Sequence, residues 1–116
     1  MHHLKVGIAA VMISTALSLS TLSARATVPT PAAVAAAKTP AQHEALAKEY
    51  DAEANSLEAM AARHESLAKT YAAPGGKPWE IAQARHCRSA AAELRAAAKE
   101  LRELAVAQEK AATAGR

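Results

Sequence analysis

Between residues 40 and 72 the apolar and polar positions recur every seven residues, the signature of a helix with one face turned toward a partner. His43, Tyr50, Leu57, His64 and Tyr71 share one seam, and Ala47, Ala54, Ala61 and Ala68 form a second row that is alanine throughout. Leu46, Met60 and Leu67 make a third row, interrupted by Glu53. The same period returns further along, where Cys87, Leu94, Leu101 and Gln108 are flanked by Ala84, Ala91, Ala98 and Ala105 and by Ala90, Ala97, Leu104 and Ala111. A strict repeat of seven implies a left-handed supercoil, and an all-alanine row lets two backbones come unusually close.

Local signals bound these two segments. Thr39 is a good N-cap, Pro40 suits the first helical position, and Gln42 stands three residues after Thr39, as a capping box requires. Pro74-Gly75-Gly76 stops the first helix. Pro78 starts the second, with Glu80 in its first turn, where a carboxylate meets the positive end of the helix dipole. The expected helices span 40–72 and 78–112, each about 50 Å long at ~1.5 Å per residue, with 113–116 as a frayed tail. A connection this short makes them antiparallel. Folding about the glycines pairs positions whose numbers sum to about 151, stacking His43 on Gln108, Tyr50 on Leu101, Leu57 on Leu94 and His64 on Cys87. The expected fold is all-α: an antiparallel, coiled-coil-like two-helix hairpin that dimerises into a four-helix bundle.

The start of the chain has a different character. Lys5 with His2 and His3 precedes an uncharged apolar stretch, and Ala24 and Ala26 are the small residues that signal peptidase needs. Residues 1–26 therefore read as a cleaved signal peptide, and the protein as a periplasmic one from a bacterial source. The rival, an uncleaved anchor, has too short and too hydroxyl-rich a stretch for a span of ~20 apolar residues, so no stable membrane anchor is expected after cleavage. Lipid attachment is excluded because no cysteine lies near the cleavage point. Residues 27–39, rich in Pro and Ala, read as an extended or mobile lead.

Charge and composition then narrow the function. The full chain carries a net charge of +3 from 14 basic and 11 acidic side chains; without Lys5 and Arg25 the balance is 12 against 11. Neither helix clusters its basic residues, so no nucleic acid partner is expected. One cysteine cannot form an intramolecular disulfide, there is no Phe, and roughly a third of the residues after 26 are Ala. Two such helices bury little apolar area, and chains this small often need a metal, a crosslink or a second chain. A homodimer is the expectation, with other exported proteins as further candidate partners.

The residues that could carry chemistry are few. His43 and His64 are three heptads apart, ~31 Å along a helix, too far to share one ion. The candidate metal layer is His64 with Cys87 or His86, and the candidate cofactor a transition metal or haem. Adjacent residues point ~100° apart, so His86 and Cys87 of one chain do not readily ligate together. One chain offers about two ligands, below the three or four that zinc or copper takes, and a symmetric dimer doubles them. The competing accounts are that His43 and His64 are polar residues setting register, that Cys87 is a small core residue, and that Cys87 forms an intermolecular disulfide. Tyr50 and Tyr71 read as gap-fillers in an alanine-rich core, and Trp79 as a cap against Tyr71. The carboxylates read as solubilising i,i+4 partners of Lys and Arg. No nucleophile–base pair, phosphate loop or Cys-x-x-Cys-His occurs, so no enzyme is expected.

His43-Glu44-Ala45-Leu46-Ala47-Lys48-Glu49-Tyr50 recurs 21 residues later as His64-Glu65-Ser66-Leu67-Ala68-Lys69-Thr70-Tyr71. This repeated His-x-x-Leu-Ala-x-x-Tyr, followed by His86-Cys87 and a Leu/Ala-rich close, resembles a group of small exported bacterial helical-hairpin proteins without an established function. The resemblance covers about 43–112. That group tends to carry a further histidine near the end of its second helix, where this chain has Gln108, and it implies no activity. Two functions follow as expectations: a binding or structural module with a metal or haem layer, and a scaffold or chaperone-like coil for other envelope proteins.

Overall fold

The computed structural model describes residues 28–115, which contain three helices and no strand. The expected signal peptide, 1–26, lies outside the described residues. Helix α1 spans Pro31–Ala36, α2 spans Pro40–Tyr71 and α3 spans Pro78–Ala114. No helix among the described residues is long and apolar enough to cross a membrane.

The lead is not wholly extended. Thr30 caps α1 by accepting a hydrogen bond from the Ala33 N–H at 3.1 Å, and Pro31 takes the first helical position. Alanine, the best helix former, then carries the chain for one and a half turns without needing an apolar stripe. Ala33, Ala36 and Ala37 border a shallow groove with Gln42 and Leu46 beside the start of α2.

The capping signals work as expected at the start of α2. The Thr39 hydroxyl accepts from the Gln42 N–H at 3.2 Å, and the Gln42 side chain accepts from the Thr39 N–H at 3.1 Å. At α3 only half of this arrangement exists: Glu80 accepts from the Lys77 N–H at 2.6 Å, and Lys77 has no acceptor to return. Helix α3 runs to Ala114, beyond the expected end at 112, as the Gly115 N–H still bonds back to Ala111. Tyr71 and Trp79 meet edge to face across the turn with ring centroids 6.3 Å apart.

Gly75 holds the turn with φ +81°. A left-handed conformation costs an L-residue about 1–2 kcal/mol, while the space around a Cβ there is open. Gly75→Ala is therefore expected to lower the melting temperature by several degrees, at about 4–8 °C per kcal/mol for a chain of this size. An unchanged melting curve would show that the turn does not need a left-handed residue.

Helices α2 and α3 pack along their whole length. The His43 Nδ1 lies 2.7 Å from the Gln108 Oε1, and Tyr50 clusters with Ala47, Ala105 and Leu101. Both contacts match the register expected from the two heptads. The alanine rows are the true interface: Ala54, Ala61 and Ala98 are wholly buried, and Ala47, Ala68, Ala84, Ala91, Ala105 and Ala112 nearly so. Nothing larger than a methyl group separates the backbones along these rows, which places the helix axes at the short end of the ~8–10 Å range for packed helices.

Candidate functional site

Helical geometry gives the hairpin two unlike sides. On each helix the residue four beyond an alanine-row position is turned ~40° to one side, while the residues three beyond it and one before it turn ~60° and ~100° to the other.

The first side is closed by charge. Asp51, Glu58 and Glu65 of α2 share one row, and Arg95 and Arg102 of α3 share the facing row. Arg95 grips Glu65 with two hydrogen bonds, at 2.6 and 3.2 Å. Arg102 reaches Glu58 and Asn55, each at 2.9 Å, and Asp51 at 3.6 Å. These carboxylates thus bridge the helices, correcting the expectation of i,i+4 partners within one helix. The row was legible in retrospect: acids at 44, 51, 58 and 65 face arginines at 88, 95 and 102, all seven apart. All these side chains are about half exposed, so each pair contributes little, ~0–1 kcal/mol.

The other side is open and apolar. The seam residues Leu57, Leu94 and Leu101 lean toward it and are only half-buried. Beyond them Met60, Leu67 and Leu104 are exposed at 43%, 45% and 46%. The hairpin buries its alanines and leaves most of its large aliphatic side chains uncovered. Glu53 interrupts this side, and its Oε2 is buried without a hydrogen-bond partner. Its break in the leucine–methionine row was visible in the sequence, but its burial was not.

The expected site residues distribute along this open side. Cys87 is a free thiol, buried at 9% exposure, and the register places it in the same layer as His64. His64 is half-buried, and its Nδ1 is fully enclosed without a hydrogen-bond partner. His86 does not join them; it is exposed on the next row of α3. His43, three heptads away, is satisfied by Gln108. Tyr50 is buried as a gap-filler, and Tyr71 is half-buried under Trp79. Among the described residues no three His, Cys, Asp or Glu side chains gather as an ion-binding group. A shallow depression along Lys99, Arg102, Glu103, Val106 and Lys110 runs over the surface of α3 alone, away from the seam.

These features define an alanine-paired antiparallel hairpin with one charged and one apolar side. No family model, curated protein or solved structure matches the chain.

Proposed function

We propose that this chain is an exported, periplasmic module of binding or structural role, which works as a pair of hairpins closed into a four-helix bundle. The observation that supports this reading is the distribution of apolar side chains. A helix pair that finished its packing alone would place its leucines at the closest approach. Here that line is alanine, and Leu57, Leu94 and Leu101 point toward an uncovered side. An open side about 48 Å long and two helix diameters wide, ~20 Å, offers roughly 900 Å² per copy, similar to the ~800 Å² per partner of a stable interface.

A second copy fits that side by size. With a twofold axis parallel to the helices, α2 of one copy lies against α3 of the other. In the register fixed by His43 and Gln108, Met60 then meets Ala90, Leu46 meets Leu104, and Glu53 meets Ala97. The bulky seam residues of all four helices converge on the axis. Only Glu53 brings an ionisable group into the flank rows, so two copies meet there with little repulsion.

The test is the mass of residues 27–116 in solution, by sedimentation equilibrium across a range of concentrations in the presence of reductant. A dimer at micromolar concentration is expected. A helical chain that stays monomeric throughout would overturn the bundle and leave the open side to a different protein, as a scaffold or chaperone-like coil requires.

A further inference from the structure

We infer that the turn end of the hairpin is a reversible docking surface for an anionic phospholipid bilayer, with Trp79 and Ile81 entering the headgroup layer and Lys69, Lys77 and Arg85 facing lipid phosphates. The first observation is an uneven charge along the helices. Residues 63–88 carry five basic and two acidic side chains, a net of +3. The rest of the hairpin, 40–62 and 89–114, carries five basic and nine acidic ones, a net of −4. The near-neutral balance of the whole thus conceals a basic end and an acidic end. Both acids of the basic end are already engaged: Glu65 accepts two hydrogen bonds from Arg95, and Glu80 caps the Lys77 N–H. The ion pairs among the described residues use Arg95 and Arg102. Lys69, Lys77 and Arg85, exposed and nearest the turn, therefore keep their charge for a partner.

The second observation is apolar surface at the same end. Trp79 and Ile81, in the first turn of α3, are exposed at 56% and 52%, more than any other large apolar side chain among the described residues. Trp79 rests edge-on against Tyr71 and still leaves most of its ring uncovered. Trp and Tyr rings favour the membrane–water interface, which accommodates an apolar body and a polar N–H or O–H together. The turn itself, Ala72-Ala73-Pro74-Gly75, is exposed and adds no charged side chain to be desolvated. Lys69 and Lys77 lie within ~5 Å of the helix ends at ~1.5 Å per residue. That is inside the ~8 Å over which an anionic surface acts at physiological ionic strength. An aromatic ring, one aliphatic side chain and a few basic groups give weak, reversible binding and not a stable anchor. Every group belongs to one chain, so the contact does not depend on pairing; a twofold axis parallel to the helices sets two such ends side by side.

Trp79 is the only tryptophan of the chain, so its fluorescence reports on this end directly. Residues 27–116, free of the apolar stretch at the start, should be titrated with phosphatidylglycerol vesicles and with phosphatidylcholine vesicles. Co-sedimentation and a blue shift of the emission are expected with the first only, and both should fade as salt is raised. Lys69→Gln with Lys77→Gln should weaken binding roughly 20-fold, at about fivefold for each basic residue near an anionic surface. Ile81→Gln should weaken it about 3- to 10-fold, the effect of burying about half of an aliphatic side chain. Lys99→Gln with Lys110→Gln removes the same charge from the far half of the hairpin and should bind as the parent does. All these positions are exposed, and circular dichroism checks that each variant retains its helices. No binding to the anionic vesicles, equal binding to both kinds, or equal weakening by the far pair would overturn the inference. So would co-sedimentation with an unshifted Trp79, which moves the contact to the open apolar side. Equally tight binding to soluble polyglutamate would overturn it as well, by making the partner an acidic protein.

Discussion

Ala61→Leu is expected to pry the hairpin open. Ala61 is wholly buried in the middle of the alanine row, with Ala54 one heptad before it and Ala98 on the facing helix in the same condition. No cavity or mobile side chain exists there to receive three more carbon atoms. The helices must move apart, and the neighbouring alanines lose contact along with the substituted one. Overpacking of a well-filled core costs typically 1–3 kcal/mol, and a rigid seam of methyl groups belongs at the upper end. For a chain of this size that is a fall of roughly 10–20 °C in melting temperature, at about 4–8 °C per kcal/mol. Ala62→Leu, one residue away and exposed, should stay within about 0.5 kcal/mol of the parent. Thermal melts followed by circular dichroism decide the matter. Equal melting temperatures for Ala61→Leu and the parent would mean that the two backbones are not in close contact.

The second large effect is on association. Leu94 is half-buried within one chain and leans toward the open side, in the same layer as Leu57. Burying a leucine fully is worth about 1.5–3 kcal/mol, and a twofold interface repeats every substitution. A second copy covers about the remaining half, so Leu94→Glu should cost the proposed dimer about 1.5–3 kcal/mol in lost burial over its two sites, a weakening of roughly 10- to 100-fold. Facing carboxylates near the axis add to this. Sedimentation of the variant should show a monomer where the parent is a dimer, with helix content largely kept because the alanine interface is untouched. Ser89→Glu, on the exposed outer surface of α3, is the matched control and should not change the mass. If Leu94→Glu associates as tightly as the parent, the open side is not the contact surface.

Much of this hairpin was readable from local chemistry. Thr39, Pro40 and Gln42 mark the start of α2, and Pro74 to Pro78 mark the turn, because caps and breakers act over three or four residues whatever the rest of the chain does. The register also followed, because two heptad patterns joined by a short loop align in one way, and the His43–Gln108 bond confirms it. The lead was less legible. Pro29 and Pro31 suggested extended chain, yet a threonine cap and an alanine run sufficed for a short helix. The carboxylates were assigned partners within their own helix, since i,i+4 neighbours can be counted along the sequence. The actual partners of Glu65, Glu58 and Asp51 lie across the hairpin at separations of 30, 44 and 51 residues along the chain, where only the pairing of facing rows reveals them.

The candidate layer divides in the same way. That His64 and Cys87 share a layer is a matter of counting heptads, which residue spacing alone supports. That His64 keeps a buried, unpaired nitrogen while His43 does not is invisible to spacing, as both occupy the same seam and open the same eight-residue repeat. Element boundaries, helix direction and register were settled by short-range capping and a constant period, and these need no knowledge of the fold. Which side of the hairpin is sealed by ion pairs, which side leaves its leucines uncovered, and which polar atoms lose their partners depend on how the two helices rotate about the alanine contact. That rotation is a property of packing in three dimensions, and only the tertiary structure decided it.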